Sequence, residues 1–358
     1  MRIRWIRGNE RINFNKPHNF FTLGIRGSGK STFLENLACH YLEKGHTVLD
    51  LFAAKDGENL AWLRSPYAKT KRILLLKGEN VVPDCEYDVK NASKLSLKDF
   101  NEYDIIISSN PFYSNIDDEF LNAAAIMNKI YKRLSWKRLI YCLVREASNL
   151  FYSRLKLRED QTLAKAEMIY LVREARHVGM SLGLDSVRWH SIDIDLRHIS
   201  DFLVLKSQGI SGLTRDLRWI YRYFLPHSIQ NMSANVFMIL SRRGCLGYGT
   251  FPFHEWHKME QENILKKLDI KLEYTEQVRK GLYRGSYRTI GDEEHISIIR
   301  LYVEDDLSMN KIAEKLGRSA KSIYGHITRH NNNVETSGFC PICRRGKSRF
   351  DEVAAKRQ

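Results

Sequence analysis

Gly24-Ile25-Arg26-Gly27-Ser28-Gly29-Lys30-Ser31 is a complete G-x-x-x-x-G-K-[ST] stretch, and its surroundings give it meaning. The apolar run Phe20-Phe21-Thr22-Leu23 before it reads as a strand. Thr32-Phe33-Leu34-Glu35-Asn36-Leu37-Ala38 after it reads as the start of a helix. Strand, glycine-rich loop and helix in that order make a phosphate cradle. The glycines let backbone N–H groups turn inward, and the helix N-terminus adds partial positive charge. Gly24, Gly27, Ser28, Gly29, Lys30, Ser31 and Thr32 are therefore the candidate nucleotide-binding residues. Lys30 can reach the β- and γ-phosphates and Ser31 can hold Mg²⁺, so ATP and Mg²⁺ are the implied cofactors.

Outward from the loop, His46-Thr47-Val48-Leu49-Asp50-Leu51, Arg72-Ile73-Leu74-Leu75-Leu76 and Asp104-Ile105-Ile106-Ile107-Ser108 read as buried parallel strands. Leu139 to Val144, Met180 to Ser186, Phe202 to Leu205 and Val236 to Leu240 continue the series, and the stretches Glu119 to Leu134 and Gln161 to His177 have helical patterning. Strands alternating with helices predict a doubly wound, mostly parallel α/β sheet, the RecA-like layout of P-loop NTPases, with its ligand at the carboxyl ends of the strands. We expect this domain over residues 1–269, a polar and basic linker over 270–291, a small all-α helix-turn-helix over 292–330 and a basic tail over 331–358.

Composition narrows the partners. A net charge of +15 favours a polyanion, nucleic acid before an anionic membrane surface. No apolar run approaches the ~20 residues of a membrane span. Met1-Arg2-Ile3-Arg4-Trp5 lacks the apolar core of a signal peptide. Six scattered cysteines do not make a disulfide framework, so a reducing cytoplasmic location is expected.

A second strand of such a sheet should end in an acid. Leu143-Val144-Arg145-Glu146 offers Glu146 as the base that polarises the attacking water, with Arg145 where a metal-holding aspartate would be useful. Further on, Arg176 and Gly179 lie before a strand that closes in Ser186-Val187-Arg188, followed by Ile192-Asp193 and Leu196-Arg197. With the phosphate loop and Glu146, these resemble the FtsK/HerA-type DNA-pumping ATPases, in which Arg-x-x-Gly leads to a strand ending Thr-Gln-Arg and an Ile-Asp…Ile-Arg segment. The resemblance covers roughly residues 20–240. It implies a homo-oligomeric ring, often a hexamer, in which one subunit's arginine completes the next subunit's site; Arg176 is the candidate, with Arg173 and Arg188 as rivals. Two departures stand out: the family's Asp-Glu is Arg145-Glu146, and its phosphate-sensing glutamine falls on Val187. Sensing would then pass to a neighbour, with Ser186 and Arg188 as candidates beside Asp185.

In the C-terminal part, a first helix from Asp292 to Val303 is expected to turn Ile296, Ile299 and Val303 inward. A second is capped by Ser308 and carries Ile312-Ala313 and Leu316. After Gly317-Arg318-Ser319, a third helix to His330 buries Ile323 and Ile327, leaving Lys321, Ser322, Gly325, Thr328 and Arg329 on the outer arc, where a recognition helix would meet double-stranded DNA. Cys340-Pro341-Ile342-Cys343 follows. His326 and His330, one turn apart, would complete a Zn²⁺ site with Cys340 and Cys343; free thiols or zinc shared between chains are the alternatives.

Together these features imply an ATP-driven motor of the FtsK/HerA type that translocates double-stranded DNA, in packaging or transfer of a virus or plasmid genome. A nucleotide-switched DNA-binding regulator or replication initiator is the second reading, with Arg145 and Val187 marking lost motor chemistry. A signalling ATPase with a protein-binding helical tail is the third.

Overall fold

A computed structural model describes residues 1–51, 57–145, 147, 166–167, 169–191, 194–257, 264–274 and 290–343. The chain divides into two compact units, Met1–Gly281 and Leu282–Gln358.

The first unit is built on strands β1 (Arg2–Arg7), β2 (Asn19–Leu23), β3 (Thr47–Leu51), β4 (Ile73–Lys77), β5 (Val81–Asp84), β6 (Asp88–Asn91) and β7 (Ile105–Ser108). They are followed by β8 (Ile140–Val144), β9 (Met180–Ser186), β10 (Phe202–Leu205), β11 (Val236–Ser241), β12 (Leu246–Thr250) and β13 (Lys271–Tyr274). Eleven of them form one sheet in the order β1-β12-β11-β10-β2-β9-β8-β3-β7-β4-β6, while β13 pairs with β5. From β10 to β6 every pairing is parallel; β10, β11, β12 and β1 pair antiparallel.

Every strand expected from the sequence is present, because a parallel strand buried on both faces must be a continuous apolar run. The additional strands lack that signature. β1 alternates charged and apolar residues at the sheet edge. β12 carries Gly247 and Gly249 where a Cβ would come within 3.0 Å of the Arg4 carbonyl and 2.2 Å of the Arg2 carbonyl, so the missing side chains are what lets β1 approach. The four residues of β13 pair with β5, and the first unit runs to Gly281.

Alternation along the strands divides the core. Phe21, Leu74, Leu76, Ile140, Cys142, Val144, Leu182 and Leu184 face one side, where helix Ile116–Tyr131 packs with Phe120, Ala123 and Met127. Phe20, Val48, Leu75, Ile105, Ile107, Tyr141 and Leu143 face the other, under helix α1 (Lys30–Glu43) with Phe33, Leu34 and Leu37. Call the helix Ile116–Tyr131 α2. The period of two then puts Asp50, Arg145 and Asp185 on the α1 face. Of the expected helix over residues 161–177, residues 166–167, 169–173 and 175–177 are helical, while 161–165 and 168 lie outside the described residues.

The second unit contains α3 (Asp292–Val303), α4 (Met309–Leu316) and α5 (Ala320–Ser337). Ser308 and Ser319 cap α4 and α5, and Gly317 ends α4 in the left-handed conformation at φ 62°. Ile312, Ala313, Ile323 and Ile327 are buried as expected. Two details differ from the sequence reading. Helix α5 continues to Ser337, past His330, because Val334 is also buried and extends the apolar stripe. On α3 the inward stripe is His295, Ile298, Ile299 and Tyr302, and Ile296 is 45% exposed, so the buried face is rotated from the one expected and takes a histidine with it.

Candidate functional site

The phosphate loop connects β2 to α1. Gly27 and Gly29 have φ of 75° and 82°, the left-handed region in which a side chain is costly. At Gly29 a Cβ would also lie 2.4 Å from the Ala234 carbonyl oxygen. The loop is held from three directions. The Gly24 N–H donates to the Ser186 carbonyl on β9, the Ile25 N–H to Ser207 just past β10, and the Ser28 hydroxyl back to the Ile25 carbonyl. The Lys30 ammonium folds onto the same Ile25 carbonyl at 3.0 Å.

Ser31 opens α1, and its hydroxyl donates to the Asp185 carboxylate at 3.4 Å. Asp185 is 1% exposed. It stands on β9, paired in register with Thr22 of the loop strand, one residue before the loop's anchor at Ser186. Two hard oxygen donors thus converge at the N-terminus of α1, which is the chemistry Mg²⁺ requires. Ser186 and Arg188 are the sensor candidates beside Asp185, and the Asp185 side chain reaches the loop at Ser31. The Ser186 hydroxyl donates instead to the Arg188 carbonyl at 3.0 Å and accepts from the Arg188 N–H, and Arg188 is exposed. Val187 is 47% exposed.

Arg145, at the end of β8, does not face phosphate. Its side chain is completely buried, with Nε and Nη2 forking onto the two Asp50 oxygens at 3.1 and 2.7 Å, Nη2 on Glu35 at 2.5 Å and Nη1 3.3 Å from Glu58. Trp62 Nε1 donates to the same Asp50 oxygen at 2.7 Å. Burial alone would weaken the guanidinium's charge, but Asp50, Glu35 and Glu58 outweigh it and hold its pKa well above the ordinary value. The arginine in the aspartate's position is therefore a structural tie between β8, β3 and α1. Glu146 itself lies outside the described residues. On its far side, the Ala147 N–H donates to the Asp185 carbonyl at 2.9 Å.

Lys206 had no sequence signal. It follows β10, is fully buried, and donates to the Ala234 carbonyl at 2.7 Å and the Val236 carbonyl at 2.5 Å, with its ammonium 4.5 Å from the Phe251 ring centroid. A Cβ on Gly24 would come 2.7 Å from the Lys206 Cβ, so the lysine stem packs directly against the loop. Burial, then the charge of Lys30, pushes its pKa down to about 7. The folded form therefore favours the neutral amine, and its contribution to stability rises as pH climbs from about 7 toward the ordinary lysine value. We expect the melting temperature of the native chain to gain on that of Lys206→Met between pH 7 and pH 9, followed by calorimetry.

Beside the loop an open cleft of about 360 Å³ is lined by Ile25, Ile210 and Met232 together with Gln230 and Asn231.

In the second unit, Arg318 in the turn before α5 grips Glu294 of α3 with two bonds at 2.5 and 2.6 Å, fixing how α5 is presented. Along α5, Ser322 donates its N–H to the Ser319 cap, Thr328 donates to the Tyr324 carbonyl and the exposed Arg329 to the Gly325 carbonyl. Tyr324, 48% exposed, joins them on the outer arc and was not picked out from the sequence. The side chains of Lys321 and Arg176 lie outside the described residues; Arg176 itself falls in a helical turn, Ala175–Val178.

The expected histidine–cysteine cluster forms with one exchange. His295, His330, Cys340 and Cys343 place a ligand atom each within 4.8 Å of one another. His326 is displaced from that set: its Nε2 lies 2.7 Å from His295 Nδ1. The rotated face of α3 is the reason, since it brings His295 into the position His326 was expected to fill.

A strand, a glycine loop and a helix, with the loop strand between β9 and β10 of a mostly parallel sheet, settle the class of the first unit. The fold is that of a P-loop NTPase.

Comparison with solved structures gives several distant likenesses. The genome packaging NTPase B204 of Sulfolobus turreted icosahedral virus 2, in complex with AMP, is 16% identical at a TM-score of 0.39, over 67% of this chain and 100% of that one. B204 described as the DNA-packaging ATPase of Sulfolobus turreted icosahedral virus gives 16% and 0.38 over 67% and 100%. The cytoplasmic domain of the type VII secretion ATPase EccC of Thermomonospora curvata gives 13% and 0.38 over 68% of this chain and 25% of that one. Likeness at this level assigns neither substrate nor partner. The family model of YlxM / p13-like helix-turn-helix proteins, UPF0122, matches residues 262–337. No curated protein matches the chain. Among the described residues no helix is long and apolar enough to cross a membrane.

Proposed function

We propose that this chain is an ATP-driven motor of the FtsK/HerA type that binds and translocates double-stranded DNA, serving the packaging or transfer of a virus or plasmid genome. The observation that carries the reading is the Ser31 hydroxyl against the buried Asp185 carboxylate at the mouth of an intact phosphate loop, in a chain that also carries a helix-turn-helix and an excess of positive charge.

Each residue has a role. Gly24, Gly27, Ser28, Gly29 and Thr32 wrap the phosphates, Lys30 swings from the Ile25 carbonyl to the β- and γ-phosphates, and the cleft at Ile25 and Met232 seats the base. Ser31 and Asp185 would hold Mg²⁺, which when bound would neutralise developing charge on the phosphate oxygens. Glu146 takes a proton from water as the water oxygen bonds to the γ-phosphorus and the bond to the bridging oxygen breaks, releasing ADP and phosphate. Arg176 of a neighbouring copy in a ring stabilises the transferring phosphoryl group. Lys321, Ser322, Thr328 and Arg329 meet duplex DNA, with phosphate contacts that weaken as salt rises.

Arg145 and Val187 favour a second reading, a nucleotide-switched DNA binder that turns over slowly. Steady-state ATP hydrolysis with and without long duplex DNA, on the native chain and Glu146→Gln, separates the two. A motor is expected to show strong DNA stimulation that the variant loses. Intact ATP binding with negligible turnover in both would leave the switch.

A further inference from the structure

We propose that His295, His330, Cys340 and Cys343 bind one Zn²⁺ tetrahedrally, pinning the segment after α5 onto α3 and α5. The site goes beyond the nucleotide chemistry and does not depend on it, since all four ligands belong to the second unit.

The distances argue for it. Zinc–sulfur bonds of ~2.3 Å and zinc–nitrogen bonds of ~2.0–2.1 Å at tetrahedral angles put a nitrogen and a sulfur on the same ion about 3.5 Å apart. His295 Nε2 lies 3.4 Å from Cys340 Sγ, and His330 Nε2 lies 3.3 Å from Cys343 Sγ. Each pair thus spans one edge of such a tetrahedron. His295, His330 and Cys340 are 4%, 3% and 6% exposed, which suits a closed structural site rather than a catalytic one.

The outer contacts complete the argument. A zinc-bound imidazole usually gives its second nitrogen to a hydrogen-bond partner, which fixes the tautomer and ring orientation. Both histidines have one: His295 Nδ1 meets His326 Nε2 at 2.7 Å, and His330 Nδ1 meets the Asn331 side-chain oxygen at 3.2 Å. In that arrangement both Nδ1 atoms carry the proton and donate it, leaving both Nε2 lone pairs for the metal. His326 is a positioning residue, not a ligand. The backbone cooperates, because Gly338 in the left-handed conformation at φ 82° ends α5 and turns the chain back toward His330 and His295. The four ligands come from three elements, so the ion would fasten the whole second unit, whose small apolar core has little burial to spare.

The test uses the full chain, purified without chelator and assayed for zinc, then exchanged with Co²⁺, whose thiolate charge-transfer and visible bands report sulfur ligands and tetrahedral geometry. The expected result is one zinc per chain and a two-thiolate tetrahedral cobalt spectrum. Both should be lost in Cys343→Ser and in His295→Ala. In His326→Ala the spectrum should be kept, with metal affinity lowered about 10–100-fold. If His295→Ala does not fold, His295→Cys decides: a ligand position should retain cobalt and gain thiolate charge-transfer intensity. Absence of zinc and of cobalt bands in the native chain would overturn the site. Loss of the spectrum in His326→Ala with retention in His295→Ala would overturn the ligand set.

Discussion

Arg145→Asp, which would place an acid at the end of β8 before Glu146, is expected to prevent the first unit from folding. The site has no room for a fourth carboxylate. Arg145 is 1% exposed and its guanidinium is shared among Asp50, Glu35 and Glu58. Removing one partner of a buried ion pair costs about 3–5 kcal/mol because the remaining charge is left uncompensated. Here the variant would strand three carboxylates and add another, against a total stability of order 5–15 kcal/mol for an ordinary domain. Arg145→Met should leave the carboxylates alone and cost the smaller sum. Adding Glu35→Gln and Asp50→Asn to Arg145→Met should recover much of the loss, since a buried ion cluster replaced as a whole is often tolerated. Urea denaturation and soluble yield read the series. An Arg145→Asp chain that folds normally and hydrolyses ATP faster would show that Arg145 sits in the chemical site rather than in the frame.

Asp185→Asn is expected to lower kcat for ATP about 10²–10³-fold, the size of loss that follows removal of one preorganised electrostatic group. The amide fits the same space but cannot carry the charge that a cation held by Ser31 would require. ATP binding to the loop should survive, and the Mg²⁺ concentration needed for half-maximal activity should rise. The melting temperature should change little, because the backbone tie from Ala147 to the Asp185 carbonyl is untouched. An unchanged magnesium titration and unchanged kcat would mean that the Ser31–Asp185 contact only steadies the loop.

Much of this molecule is written locally. The phosphate loop, the buried strands and the caps at Ser308 and Ser319 depend on neighbours a few residues away, through glycine conformation, side-chain alternation and side-chain capping, and each is legible in the chain. Alternation even gives the face: with Tyr141 and Leu143 under α1, Arg145 must point there too, and so must Asp185 beyond Leu182 and Leu184 of the other side. What no local pattern contains is the order of the strands. Only the placement of β9 directly beside β2 brings Asp185 to Ser31, and only β3 on the other side of β8 brings Asp50 to Arg145. The same holds in the second unit, where α3 could turn either of two apolar stripes inward. Packing against α4 and α5 selects the stripe that contains His295, and so decides which histidine meets the cysteines. The phosphate loop, the apolar strands and the helix caps follow from the chain alone, because short-range sterics and burial fix them. The tertiary structure alone decided which charges and ligands meet, because that depends on contacts 95 residues apart at Asp50 and Arg145 and 154 apart at Ser31 and Asp185.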